Sequence, residues 1–405
     1  MALLDGDGVG QRRIIPNIPK IPQIPNIPLR MKKIFFSILG AALLCSCAQN
    51  QCKCCQDAQE PGIKEYTNKY FYLGTALNTD HIIGADIEGV NTTVKHFAAI
   101  SPENCLKPEE VHPFENVYEW TIPDAYVEFG QKNNMFIHGH TLVWHSQCPD
   151  WFFFDEKGDT ASYDLLKQRL ETHIATIVGH YKGKIHSWDV INESVIEGGH
   201  QRQSMWYKIL GDDMYEIAFS AAAKADPDAE LYLNDYNMTD PGRRERYVEI
   251  IKRLQSKGIK IDGMGLQGHW GLDRPAISEI QKSIDMFAEI GVKVSISELD
   301  MSILPRRQMQ ITAAVDHTEN FEQSLDPYKG NFPQEPLHDW NYRMQEFFQL
   351  FKDNADKIER VTVWGVCDQD SWLNNWPIVG RYDYATLITR NHRIKPVDFW
   401  IMKNY

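Results

Sequence analysis

Short runs of strand character, each followed by a longer stretch of helical character, recur eight times along this chain. That alternation restricts the folds open to it more than any other feature. The runs are FYLGTALN (71–78), HFAAISPEN (96–104), MFIHGHTLVW (135–144), IHSWDVINE (185–193), ELYLNDYN (230–237), GMGLQGHW (263–270), VKVSISELD (292–300) and RVTVWGVCD (360–368). β-Branched and aromatic residues fill them, as they fill buried strands. Between them lie EIAFSAAAKA (216–225) ahead of Asp226-Pro227, RRERYVEIIKRLQSK (243–257) ahead of Gly258, and ISEIQKSIDMFAEI (277–290) ahead of Gly291. A Gly just past a helical stretch is the usual left-handed cap. Strands alternating with helices make a doubly wound open sheet or a closed barrel. Eight similar units favour closure, so the predicted fold is α/β, a (β/α)8 barrel of the TIM type, in a single domain over 66–405.

The ends of the runs say where its chemistry lies. IHSWDVINE is apolar until it finishes in Asn192-Glu193, two side chains that are costly to bury. Alone, this reads as a strand leaving the core. The others, however, finish in Leu77-Asn78, Glu103-Asn104, His140 to Trp144, Asp235-Tyr236-Asn237, Gln267 to Trp270, Glu298 to Asp300 and Trp364 to Asp368. A barrel gathers the C-terminal ends of its strands on one face, where active sites are built. That face offers carboxylates, imidazoles, amides and indoles. It has no Gly-rich phosphate loop after the first strand and no G-x-S-x-G elbow. His140, His145 and His269 lie among Trp and Gln without metal-ligand spacing, so no metal and no cofactor is expected. A pair of carboxylates remains, which points to glycoside hydrolysis.

WDVINE, HGHTLVWHSQ, LQGH, SELD and WGVCDQDSWLNNWP, in this order, resemble glycoside hydrolase family 10, the endo-β-1,4-xylanases. The resemblance runs from about Tyr70 to the C-terminus. It implies retaining cleavage inside β-1,4-xylan, with xylan and xylo-oligosaccharides as substrates. It makes Glu193 the acid/base and Glu298, in SISELD, the nucleophile. The chemistry agrees: one carboxyl must be protonated and the other ionised. Two close carboxylates raise one pKa by repulsion, and His269 with the supporting Asp300 can hold Glu298 ionised. The resemblance also places Glu103, Asn104 and Lys107 on sugar hydroxyls, and His140, Trp144 and Gln267 around the sugar beside the cleaved bond. Asn192 falls on its 2-hydroxyl, and Trp364 and Trp372 become apolar walls. Pro108 departs from the pattern, standing where the family more often has an aromatic. On their own, Trp144 and Trp364 would be core residues and Lys107 a solvated charge. A non-catalytic glycan binder on the same fold would be free to lose Glu193 or Glu298, and both are present. Whether another β-1,4-glycan also fits depends on room for a C5 hydroxymethyl beside Trp364 and Trp372.

The remaining sequence concerns location. Residues 1–30 end in PNIPKIPQIPNIP, a low-complexity extension read as lying ahead of the native start at Met31. Residues 31–47 carry two lysines, a short apolar run and LCSC, a secretory pattern resembling a bacterial lipobox with Cys47 as the lipidated residue. Residues 48–65 read as a tether. The expected location is the bacterial envelope, exported and lipid-anchored, with soluble secretion as the alternative. Three cysteines in the main domain (Cys105, Cys148, Cys367) make a poor disulfide framework, and Cys105 and Cys367 read as small buried hydrophobes. A formal charge of -13 makes nucleic acid an unlikely partner. A monomer with no second domain is expected.

Overall fold

The protein is described here by a computed structural model, covering residues 60–305, 323–329 and 332–405. The expectations on residues 1–59, Cys47 included, lie outside the described residues. Eight parallel strands close on themselves: β1 (Tyr72–Leu77), β2 (Ala99–Pro102), β3 (Phe136–Val143), β4 (Ser187–Asn192), β5 (Glu230–Asp235), β6 (Gly263–Leu266), β7 (Lys293–Met301) and β8 (Ile358–Val363). Each pairs with its successor, and β8 returns to β1 with Thr75 opposite Val363. Among the described residues, eight helices of nine residues or more cover the outside: α1 (Ile87–His96), α2 (Thr121–Lys132), α3 (Tyr163–His180), α4 (Asp213–Ala225), α5 (Pro241–Ser256), α6 (Ile277–Glu289), α7 (Gln334–Asp353) and α8 (Pro396–Asn404). The expected closed (β/α)8 barrel is the observed one.

Local chemistry explains the element ends. Asp86, Ser162 and Asp240 accept backbone N–H groups at the starts of α1, α3 and α5, and Pro241 occupies the first turn where its missing N–H has no partner to lose. Gly258 and Gly291 follow α5 and α6 with φ of 69° and 79°, which a residue with a Cβ adopts at a cost. Two boundaries differ from the sequence reading. The run 263–270 breaks after Leu266, because Gly268 turns to positive φ, and His269–Trp270 pairs separately with Asp300 and Met301. Ile63 is fully buried and Lys64–Thr67 is helical, so residues 63–65, read above as tether, pack with the domain.

The core lies between sheet and helices, with Ile100, Ile137, Leu231 and Val294 fully buried among residues such as Leu170, Ile250 and Phe347. Close approach inside the barrel depends on small residues. A Cβ at Gly139 on β3 would lie 2.2 Å from the Trp188 ring of β4, so the indole fills the space a side chain would need. Register shifts fall between His140 and Val143 on β3, Asp189 and Ile191 on β4, and Ile296 and Leu299 on β7. Such irregularities bend a strand and re-aim its side chains. These three strands deliver His140 and Trp144, Glu193, and Glu298 to the C-terminal mouth.

Candidate active site

Glu193 follows β4 with φ of +55°, a left-handed conformation uncommon for a residue with a side chain. Its backbone is held on both sides: its N–H donates to the Asn234 carbonyl (2.8 Å) and its carbonyl accepts from Arg202 Nε (2.6 Å). The carboxylate accepts from Trp144 Nε1 and Gln267 Nε2, each at 3.0 Å. Burial raises its pKa; these two hydrogen bonds oppose the rise, and the charge of Glu298 adds to it. The main cause is therefore desolvation rather than the carboxylate repulsion expected from the sequence.

Glu298, on β7, has the opposite surroundings. Its Oε1 accepts from Asn234 Nδ2 (2.8 Å) and its Oε2 lies 3.2 Å from His269 Nε2. Burial alone would raise its pKa, but the His269 hydrogen bond and the fields of His140 and His269 outweigh it, so the net shift is downward. His269 in turn bonds Asp300 Oδ2 through Nδ1 (2.8 Å). Burial disfavours its charge; Asp300 and Glu298 overcome that and push its pKa up to about 10. Asp300 Oδ2 also accepts from Trp372 Nε1 (2.7 Å), so one carboxylate fixes both the imidazolium and the indole. Asp300 itself is fully buried behind the cavity wall.

A network joins the two glutamates. Asn192 Oδ1 accepts from Asn234 Nδ2 (3.1 Å) and Gln267 Nε2 (3.3 Å), the same amides that hold Glu298 and Glu193. Asn234 is set by Ser297 Oγ, which donates to its Oδ1 (2.5 Å). Fixing the Asn192 oxygen leaves its Nδ2 as the group that donates into the cavity.

That cavity, of about 390 Å³, opens at the barrel mouth and is lined by every catalytic and substrate-binding residue expected from the sequence. Lys107 is buried rather than solvated. Its ammonium donates to Asn104 Oδ1 (2.9 Å) and Gln147 Oε1 (2.8 Å) and sits 5.0 Å over the Trp144 ring. Burial lowers its pKa, opposed chiefly by Glu103. Glu103 shifts upward, again from burial, with Lys107 opposing. His140 Nδ1 bonds Asp189 Oδ2 (2.9 Å), and its ring stands edge-on to Trp364 at 5.5 Å. Pro108 sits at the first position of a short helix, Pro108–Val111, where the donor it lacks is not needed. Cys105 and Cys367 are buried; burial raises both thiols, Cys367 to about 12.

The sequence reading missed Gln147, Tyr236, Asn237, Asn375 and Trp376, which also line the cavity, and Asn234 and Asp189 behind it. Tyr236 and Asn237 stood in view at a strand end. Asn234 and Asp189 carried no such signal, since both lie within strand runs. Among the described residues, His81, Asp86 and Asp370 cluster closely enough to surround a cation. The Asn78 N–H donates to His81 Nδ1 (3.3 Å), so Nε2 carries the proton and faces the two carboxylates, at 3.4 and 3.5 Å. With Nδ1 accepting and Nε2 bearing the proton, the ring can donate to a carboxylate but offers no lone pair to a cation.

Comparison with known proteins places this geometry. The family model described as glycosyl hydrolase family 10 matches residues 62–404. The chain is 40% identical over 377 residues to endo-1,4-beta-xylanase A of Xylanibacter ruminicola, covering 93% of this chain and all of that one. It is 38% identical over 342 residues to a beta-1,4-xylanase of Dictyoglomus thermophilum, covering 84% and 90%. Among solved structures, a GH10 endoxylanase retrieved from a sugarcane soil metagenome superposes with a TM-score of 0.81 at 39% identity, over 85% of this chain and all of that one.

Proposed function

The chain belongs to glycosyl hydrolase family 10, and from that membership and the site above we infer a retaining endo-1,4-β-xylanase that cuts internal bonds of xylan by double displacement. One observation carries the mechanism. Two buried carboxylates from β4 and β7 face one cavity, and their surroundings drive their pKa values apart, Glu193 up and Glu298 down. Divergent environments sort a carboxyl pair into an acid and a nucleophile. In this reading the ionised Glu298 attacks the anomeric carbon while the protonated Glu193 gives its proton to the leaving oxygen. A covalent glycosyl ester forms on Glu298 and the aglycone departs. That ester carries no charge, so its influence on Glu193 falls away. Glu193, now ionised, takes a proton from water, and the hydroxide equivalent attacks the anomeric carbon. The second inversion restores the configuration.

The positioning follows from the same contacts. Asn192 Nδ2 meets the sugar 2-hydroxyl, a bond that strengthens as the ring approaches the oxocarbenium state. Glu103, Asn104 and Lys107 bind hydroxyls of the glycone, His140 and Gln267 enclose the reacting sugar, and Trp364 and Trp372 supply apolar walls. Cys47 as a lipid anchor at the envelope is supported by LCSC after an apolar run.

The test is reducing-sugar release from glucuronoxylan, with Glu298→Ala beside the parent and carboxymethyl cellulose as second substrate. A parent that shortens xylan and a variant that does not uphold the reading. A parent acting on the glucan alone overturns the substrate, and a folded parent inert on both overturns the activity.

A further inference from the structure

Two stacked indoles, Trp372 and Trp376, stand on the wall of the cavity that holds the catalytic pair. Trp372 is fixed at its edge by the bond from Nε1 to Asp300 Oδ2, and the His269 ring lies against it, tilted, at 5.1 Å. Trp376 stacks on Trp372 with centroids 4.7 Å apart and planes within 17° of parallel. The two rings are tied through the backbone, because the Trp376 N–H donates to the Trp372 carbonyl (3.0 Å). The Trp376 carbonyl accepts from Arg381 Nη2 (3.3 Å), so the stacked ring hangs from an anchored backbone. Trp376 also lines the cavity. Trp372 is therefore clamped, its N–H held at one end and its ring pressed against a second indole.

A wall that cannot yield discriminates by size. A xylose unit carries only hydrogen at the C5 branch point, where glucose carries a hydroxymethyl. We propose that Trp376 is a specificity-determining residue: by stacking on Trp372 it stops that indole retreating and so excludes C5-substituted sugars. This rests on the xylanase reading above and goes beyond it. Trp376 Nε1 makes no hydrogen bond among the described residues, and the bond that holds Trp372 beside His269 runs to Asp300 and not to Trp376.

The prediction is a change of ratio. One carbon group in a pocket is worth roughly 10–200-fold in discrimination, and loosening the wall recovers part of it. Aryl β-xylobioside and aryl β-cellobioside are compared in the parent, Trp376→Ala, Trp376→Leu and Trp376→Phe. Expected for Ala and Leu is a rise of about tenfold in the cellobioside-to-xylobioside ratio of kcat/KM, a ratio in which any loss common to the two substrates cancels. Trp376→Phe, which keeps an aromatic stack, stays near the parent ratio. An unchanged ratio in both Ala and Leu overturns the proposal, as does an equal fall in both rates, which marks a merely structural residue. A parent already as fast on cellobioside as on xylobioside overturns the substrate reading instead, and that result is seen before any substitution is made.

Discussion

Glu193 and Glu298 divide their labour through their neighbours, so a single substitution should expose each role. Glu193 donates only when protonated. Its pKa is raised by burial, so activity should hold through mildly acidic pH and fall as pH climbs through that raised value. Glu298 must be ionised, and its lowered pKa places the acid limb below the ordinary carboxylate range. Glu193→Gln keeps the hydrogen-bonding shape and removes the proton. It should cost about 10²–10⁴-fold on xylan and abolish the alkaline limb. Aryl glycosides whose phenol leaves without protonation should lose much less in the first step. A pH–rate profile on both substrate types checks this, and equal losses on the two would remove Glu193 from the acid role. Both glutamates stood in view in the sequence, Glu193 as the last residue of its apolar run and Glu298 two residues before the end of its own. Asn234 was not. It sits inside ELYLNDYN, and only the folded barrel, with β6 paired between β5 and β7, puts its amide 2.8 Å from Glu298. Trp376 belonged to a quoted motif, yet its stacking on Trp372 depends on loop geometry that no spacing rule reveals.

At the scale of elements, the eight runs were legible because strand and helix periods differ and because Gly258 and Gly291 punctuate the helices. Strand irregularities were hidden, since a register shift leaves composition unchanged; those in β3, β4 and β7 became apparent only in pairing. The polar stretch from Pro305 to about Trp340 reads in the sequence as one long loop, but α7 begins at Gln334 and turns Trp340 into the core. Helical residues 334–340 were concealed by the polar side chains of α7's first turns, which face solvent. Packing between elements gives its own prediction. In Gly139→Ala the new methyl would lie 2.2 Å from Trp188, a fully buried indole on the adjacent strand that has nowhere to move. Overpacking of this kind costs about 1–3 kcal/mol or more. The urea midpoint should fall at unchanged m-value. An unshifted midpoint would mean that β3 and β4 can part locally, which their pairing argues against.

For the molecule as a whole, the groups that serve the site also set its stability against pH. Histidines kept neutral by full or partial burial work on the acid side. Burial lowers His145 and His173, each to about 3, so the folded state refuses protons that the unfolded chain accepts below about 6.5. Stability therefore falls as pH drops from 6.5 towards 3. His269 works on the other side. Its folded pKa of about 10 exceeds the unfolded 6.5, so its contribution is complete below 6.5 and is lost as pH rises through about 10. One proton bound by the folded state alone gives a slope of about 1.4 kcal/mol per pH unit. Urea unfolding of the parent at pH 7, 8 and 9 should show that decline. His269→Gln should start from lower stability, since Asp300 and Glu298 lose their cation, but should decline less over the same interval. Parallel declines in parent and variant would mean that other groups carry the slope and that His269 is not the cation holding Glu298 ionised. A flattened slope would tie the alkaline stability of the barrel to the same imidazolium that prepares the nucleophile.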